Sequence, residues 1–248
     1  MQKKIWIITI FPEYFEPLLS AGVVGRALRG EKAQAPTLNI VSLREYSDTN
    51  YKGVDASPYG GGEGMVMRAD ILKNALIQGV VEKGGYPSNY RDYLHVVYPS
   101  PRGKSWNSEI AHNFSQEYFS RESKKDVVFI CGRYEGIDER FIARFVDQQI
   151  SMGDYILSGG ELAVMGIIDS AMRYLPEVLG NNLSSQNESF EGKLLEHPLY
   201  TRPRVFEDLP VPPVLLEGHH KKIEEYKLEE MKRLTKEHRP DLLGPESL

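Results

Sequence analysis

Short apolar runs alternate with amphipathic stretches along the first two thirds of the chain. Five runs rich in β-branched and other apolar residues predict strands at 3–10, 38–43, 94–98, 127–131 and about 146–151. Three segments with apolar residues at helical spacing predict helices near 70–79, 106–119 and 160–174. Strands that alternate with helices are typical of an α/β fold whose sheet has parallel pairing, so we expect that fold class here.

The pattern changes after residue 179. The segment Gly180–Asn187 is polar and shows no periodicity, which predicts a flexible interdomain linker over about 180–196. Prolines at 198, 203, 210, 212 and 213 predict no regular structure before a last helix at about Lys221–Glu237. One face of that helix is apolar through Ile223, Tyr226, Met231 and Leu234. We therefore expect a first domain over 1–179 and a small, mainly helical domain over 197–248.

Three loops rich in glycine or proline directly follow predicted strands. They are Tyr98-Pro99-Ser100-Pro101, Cys131–Asp138 and Ser151–Glu161. Because the carboxyl ends of parallel strands meet at one edge of a sheet, we expect the loops to form one ligand pocket, although glycine after a strand also suits a plain turn. Neither glycine loop has a dinucleotide fingerprint, and Gly60–Gly64 lacks the lysine and hydroxyl residue of a phosphate loop.

Composition narrows the class of protein. A hydrophobic content of 41% with 26% charged residues is ordinary for a globular protein, and the single cysteine, Cys131, excludes an intramolecular disulfide bond. No run approaches the roughly 18 apolar residues needed to span a bilayer, and residues 1–10 do not resemble a signal peptide, so we expect a cytoplasmic protein without membrane contact. The net charge of −5 argues mildly against nucleic acid, yet basic residues slightly outnumber acidic ones over 193–239.

Several motifs occur together in a specific order. The two glycine loops, Pro58–Met65 and Tyr200-Thr201-Arg202-Pro203 resemble the bacterial tRNA (guanine-N1)-methyltransferases of the SPOUT superfamily, and the likeness runs from Phe11 to His220. The resemblance implies a SPOUT-type parallel sheet with a deep trefoil knot and S-adenosylmethionine as methyl donor. It also implies methylation of N1 of guanosine-37, directly 3′ of the anticodon. The expected partners are the tRNA anticodon stem-loop and a second copy of the chain, in a homodimer with its active site between subunits.

The resemblance assigns residues to each part of the site. The cofactor-binding residues it implies are Tyr98, Pro99, Ser100, Pro101, Gly132, Tyr134, Glu135, Gly136, Met152, Gly153, Tyr155, Leu157, Gly159 and Gly160. The substrate-binding residues it implies are Asp55, Tyr59, Arg173, Glu188, Tyr200 and Arg202. A carboxylate such as Glu135 suits a cationic sulfonium. Glu161 opens an apolar helical run, and we expect it to cap that helix or to complement its dipole.

The resemblance also implies two catalytic residues. Glu188 takes the place of the general base for the guanine N1 proton, and Arg173 would stabilise the negative charge that develops on O6. The chain departs from the family pattern in Glu188, where relatives carry aspartate, in Leu199, where they carry histidine, and in Pro99 and Glu63. Two alternatives stay open: a SPOUT methyltransferase for another RNA, against which the motif at 200–203 argues, and a non-catalytic RNA-binding module, which the changes at Glu188 and Leu199 suggest.

Metal binding has little support in the sequence. The adjacent His219 and His220 point in different directions on a helix or strand, and no cysteine or acid lies at ligand spacing, so we predict no protein-held metal site. The family resemblance nevertheless raises magnesium as a cofactor.

Overall fold

The computed structural model describes residues 2–32, 35–48, 50–178 and 189–243. The chain divides into two compact units, Met1–Asn181 and Asn182–Leu248. The first unit is an α/β structure around one five-stranded sheet, as the alternating pattern predicts. In the described residues no helix combines the length and the apolar character needed to cross a membrane.

All strand pairs of the central sheet are parallel, in the order β2-β1-β6-β5-β7. Its strands are β1 (Lys4–Thr9), β2 (Thr37–Ser42), β5 (Leu94–Ser105), β6 (Asp126–Ile130) and β7 (Gln148–Ser151). Alternate residues of β1 belong to two different hydrophobic core clusters. Ile5 and Ile7 pack in one cluster, and Trp6 and Ile8 pack in the other. Strands β1 and β6 are buried on both faces and read as nearly continuous apolar runs, whereas the edge strands β2 and β7 are partly exposed and more polar. All five lie where the sequence predicts them.

Helices cover both faces of this sheet. The α-helices of the first unit are α1 (Glu16–Ser20), α2 (Gly22–Arg26), α3 (Ala69–Asn74), α4 (Ser108–Phe114), α5 (Glu139–Phe145) and α6 (Gly160–Met172). Three of them continue as wider π-helical turns, α2 over Ala27–Glu31, α3 over Ala75–Glu82 and α4 over Ser115–Phe119. The predicted segments near 70–79, 106–119 and 160–174 are therefore helical. Sequence patterns missed α1, α2 and α5, which have only five to seven residues.

Strand β5 is longer than predicted and contains an irregularity that shapes the site. Pro99 and Lys104 both lie opposite Ile150 of β7, so the intervening residues leave the ladder and return to it. Proline lacks a backbone N–H and interrupts strand pairing, which accounts for the loop between Pro99 and Lys104. The looped residues lie at the carboxyl edge of the sheet.

A small antiparallel hairpin extends this edge. It consists of β3 (Asp55–Ala56) and β4 (Val66–Met67), with Asp55 opposite Met67. Met67 also bridges to Ile137 in parallel, and its N–H donates to the carbonyl of Gly136 at 3.0 Å. The hairpin therefore fixes one side of the loop that follows β6.

The second unit contains a helix and a short hairpin. Helix α7 spans His220–His238, close to its predicted bounds, and strands β8 (Val205–Phe206) and β9 (Leu209–Pro210) form an antiparallel pair. The prediction that prolines exclude regular structure before the last helix is wrong, because Pro210 ends a strand and Pro213 starts a 3₁₀ turn. Both positions tolerate the missing N–H.

Within the second unit, residues 189–196 of the predicted linker make defined contacts. The N–H of Leu195 donates to Thr235 Oγ1 of α7 at 2.8 Å, and that of Glu196 donates to Ser189 Oγ at 3.0 Å. Residues 180–188 lie outside the described residues.

Candidate functional site

A cavity of about 380 Å³ lies at the carboxyl ends of β5, β6 and β7. Its volume is within the range of roughly 300–1,000 Å³ that is usual for small-molecule sites. All fourteen residues predicted to bind a cofactor line it, so the structure brings the three loops together. Six further residues line it that the sequence did not single out: Arg133, Ile150, Ser151, Ile156, Ser158 and Ala163.

The loop after β6 forms one wall, and Tyr98 supports it from below. A Cβ at Gly132 would lie 2.9 Å from the Tyr98 ring, so only glycine lets the loop settle on that ring. Gly136 adopts a φ of +114°, which a residue with a side chain rarely adopts. Burial is the main reason why the pKa of Tyr98 is raised, and the phenol therefore stays neutral at physiological pH.

The loop after β7 forms the facing wall. The N–H of Gly160 donates to the carbonyl of Gly132 at 2.9 Å, which joins the two glycine loops directly. Gly153 adopts a φ of +135°, and its open side is covered by the ring of Tyr155. Tyr134 and Tyr155 each expose about half of their surface, at 50% and 57%, so aromatic faces flank the cavity.

Charge around the cavity is unevenly distributed. Glu135 lines the cavity and is exposed. Its side chain packs closely against Gly64, where an added Cβ would lie only 2.5 Å from Glu135 Cγ. A carboxylate in this position favours a cationic ligand group. The cavity wall is otherwise rich in backbone groups from glycine loops, which suits hydrogen bonding to a neutral ring system.

Arg133, which lines the cavity, forms an ion pair with Glu161, which does not. Arg133 Nε lies 2.9 Å from Glu161 Oε2, although the two are not aligned as a hydrogen bond, and their side chains are 11% and 0% exposed. Thr9 Oγ1 donates to Glu161 Oε1 at 2.7 Å. The expectation that Glu161 caps α6 is wrong, because Gly159 is the N-cap residue; Glu161 does lie in the first turn, where a negative charge complements the helix dipole, and its side chain is buried in the core. Glu161 lies in the helix with Val164, Ile168 and Ala171, all buried, and that spacing is the signal that would have placed it inside.

Burial and partners act in opposite directions on Arg133. Burial disfavours its charged form most, but Tyr14 and the negative charge of Glu161 outweigh that effect, and the net result raises the pKa of Arg133. Its guanidinium also lies over the rings of Phe11 and Tyr14, 4.7 and 5.0 Å from their centroids. Arg133 is therefore permanently charged.

The predicted substrate and catalytic residues are more dispersed. Asp55 pairs with Met67 in the hairpin that supports the loop after β6, whereas Tyr59 is 98% exposed and lines a separate open cleft. Arg173 is half-buried at the end of α6. Glu188 lies outside the described residues. Tyr200 and Arg202 belong to the second unit, where the hydroxyl of Tyr200 contributes to the raised pKa of Tyr226, after burial, and Arg202 precedes a cis proline.

A parallel α/β sheet with a loop-lined cavity at its carboxyl edge is the arrangement typical of α/β proteins that bind small organic ligands. The family described as tRNA (Guanine-1)-methyltransferase TrmD matches residues 3–245. The chain belongs to this family.

Curated relatives agree with that assignment. A tRNA (guanine-N(1)-)-methyltransferase of Enterococcus faecalis is 42% identical over 240 residues, which cover 97% of this chain and 91% of the relative. The enzyme of the same description from Cereibacter sphaeroides is 41% identical, with 98% and 93% covered, and that from Endomicrobium trichonymphae is 42% identical, with 97% and 99% covered.

Proposed function

We propose that this protein transfers a methyl group from S-adenosylmethionine to N1 of guanosine-37 in tRNA, directly 3′ of the anticodon. The observation that carries the proposal is one cavity at the carboxyl edge of the sheet, lined by all fourteen cofactor-binding residues that the family resemblance implies, in a chain that belongs to the family. We include a cytoplasmic location in this proposal, because tRNA is the substrate.

The cavity suits the methyl donor in size and chemistry. Backbone groups around Met152, Leu157 and Gly159 would hold the adenine ring, while the carboxylate of Glu135 would lie near the cationic sulfonium. When bound, the donor supplies an electrophilic methyl group. The loops would orient the donor, and orientation of this kind accounts for much of the rate enhancement of an enzyme.

Two side chains would act on the guanine base during methyl transfer. Glu188 would accept the N1 proton of guanine, and its extra methylene relative to aspartate requires a small adjustment of the backbone or rotamer. Arg173 would stabilise the charge that develops on O6, a task for which a planar cation with five donors is suited. Asp55, Tyr59, Tyr200 and Arg202 would contact the RNA.

The larger assembly is also part of the proposal. We include the deep trefoil knot near the two glycine loops, the homodimer whose active site combines both subunits, and binding of the anticodon stem-loop by the C-terminal helical domain over 197–248. The direct bond between Gly160 and Gly132 supports close packing of the loops in the knot region. Light scattering tests the dimer, and footprinting of bound tRNA tests the contact with the C-terminal domain.

A magnesium requirement is included from the family resemblance alone. No three His, Cys, Asp or Glu side chains form a metal-binding group within residues 2–32, 35–48, 50–178 and 189–243. Methyl transfer measured across a magnesium titration, with the tRNA fold checked at each concentration, tests the requirement.

Methyl transfer from labelled S-adenosylmethionine tests the central proposal. The substrate is an unmodified tRNA with guanosine at position 37, and the control is the same tRNA with adenosine there. Incorporation into the first alone is expected, and Glu188→Gln should abolish it while donor binding persists. Donor binding without incorporation into either tRNA would point to another RNA target or a non-catalytic protein.

A further inference from the structure

One cationic side chain lines the cavity, and the proposed chemistry does not use it. Arg133 is the only lysine, arginine or histidine among the lining residues. Its partner Glu161 is fully buried, and isolated buried charges are so unfavourable that each of these two requires the other. The position of the guanidinium is therefore fixed from behind.

Arg133 connects the two walls of the cavity. It belongs to the loop after β6, yet its Nη1 donates to the carbonyl of Ser158 in the loop after β7, at 3.1 Å. A Cβ at Gly159 would lie 2.5 Å from Arg133 Cδ and Cζ and closer still to Nε. The φ of Gly159 is 179°, an extended conformation open to any residue, so space beside Arg133 is what requires glycine there.

The surrounding contacts leave the guanidinium little freedom. Thr9 Oγ1 donates to Glu161 and accepts from the N–H of Phe11 at 2.9 Å, and the Phe11 ring lies against Arg133. The network thus runs from the end of β1 through Glu161 to Arg133 and back to Phe11. A planar guanidinium can stack on a ring, pair with a carboxylate and donate to a carbonyl at the same time, whereas an ammonium group cannot.

We propose that Arg133 is a positioning residue for the methyl donor. Anchored by Glu161, it holds the backbone of Ser158 and Gly159 against the cavity and thereby sets the affinity for the donor, without touching the reacting atoms. This inference rests on the proposed function for the identity of the ligand. The role of Arg133 in ordering residues 151–160 does not depend on that identity.

Calorimetry with S-adenosylhomocysteine tests the effect on binding. Arg133→Lys keeps the positive charge but loses the planar guanidinium and its hydrogen bond to Ser158. We expect S-adenosylhomocysteine to bind about 10-fold to 100-fold more weakly, which is the range for one lost hydrogen bond to a charged group. Glu161→Gln preserves shape and removes the anchor, so it should also weaken binding. For both variants KM for the donor should rise while kcat at saturating donor changes little.

Amide hydrogen exchange gives a second measurement that needs no ligand. In Arg133→Lys, residues 151–160 should exchange faster than in the wild type, while β1 and β6 keep their protection. The matched control is Arg26→Met, which removes an arginine from an exposed ion pair with Glu31 at 3.1 Å and should change neither measurement.

The two measurements separate the possible failures. Wild-type affinity and unchanged exchange in Arg133→Lys would overturn the proposal. If the wild-type protein does not bind S-adenosylhomocysteine, the proposed function is wrong, and faster exchange at 151–160 in the variant would still establish the ordering role.

Discussion

Gly103 is the position where one added methyl group should disturb both the sheet and the cavity. It lies in the segment of β5 that leaves and rejoins the ladder opposite Ile150. A Cβ there would lie 2.5 Å from the carbonyl carbon of Gln149 and closer still to the N and C atoms of Ile150. All three are backbone atoms of β7, so no side-chain rotation can relieve the contact in Gly103→Ala.

The structure sets the size of the effect. Ordinary van der Waals contact of a Cβ atom begins at 3.4 Å, so β5 and β7 must separate by about one ångström at this point. Overpacking costs about 1–3 kcal/mol, and weakening one ladder hydrogen bond adds about 1 kcal/mol. At about 2–4 °C per kcal/mol for a domain of this size, the melting temperature should fall by about 5–15 °C.

Thermal unfolding, followed by circular dichroism, measures the melting temperature. Titration calorimetry measures the affinity of the cavity for S-adenosylhomocysteine. Binding should weaken as well, because Pro99, Ser100 and Pro101, in the same looped segment of β5, line the cavity. Gly166→Ala is the control: in the interior of α6 the new Cβ would meet only the flexible end of Met152, at 3.2 Å. Alanine is favoured over glycine in helices by about 1 kcal/mol, so this variant should be as stable as the wild type or more so. A melting temperature for Gly103→Ala equal to that of the wild type would refute the argument.

Three further predictions concern side chains away from the donor. Tyr86→Phe removes the hydroxyl that joins Asp126 to a neighbouring indole N–H, so unfolding in urea should show a loss of about 1–3 kcal/mol with unchanged donor binding. Asp138 accepts from the backbone N–H of Arg140 at the start of α5, and the Arg140 side chain lowers the pKa of Asp138 below its usual 3.8. Asp138→Ala should therefore lose about 1 kcal/mol at pH 7, and the difference should shrink as acid below pH 3.8 protonates the wild-type carboxylate. Burial, and then the charge of Glu161, raise the pKa of Cys131 well above 9.0, so iodoacetamide at pH 8 should label the thiol only after unfolding, as mass spectrometry will show.

The sequence predicted best where one physical effect dominates. Strands that are covered on both faces must be apolar along their length, so β1 and β6 stand out in the sequence, and all five predicted strands occur in the sheet. Loops at their carboxyl ends must share an edge, and all fourteen residues predicted to bind a cofactor line one cavity there. Their role in binding stays a prediction until ligand is measured.

Prediction failed where local signals conflict with tertiary contacts. Prolines at 99 and 101 indicated the end of a strand. In the structure β5 rejoins the ladder at Lys104, because Ile150 of β7 lies opposite both Pro99 and Lys104. In the second unit, Glu207 and Asp208 form the two-residue turn between β8 and β9 with φ of 48° and 63°. Such turns usually carry asparagine or glycine, so nothing in the sequence marked this one as a hairpin.

The ion pair between Arg133 and Glu161 was not predicted from the motifs, although the sequence contains a signal for it. Glu161 has the helical spacing of three buried residues of α6, so periodicity places a carboxylate in the core. A buried carboxylate needs a cation as its partner. Here the cation belongs to the loop after β6, so its side chain must pass close to the backbone of the loop after β7 to reach Glu161. Gly159 provides the space for this crossing, and Arg133 is the cation. Gly159 is therefore required by the side chain of Arg133. A glycine beside a binding cavity does not by itself show that a ligand packs against its backbone.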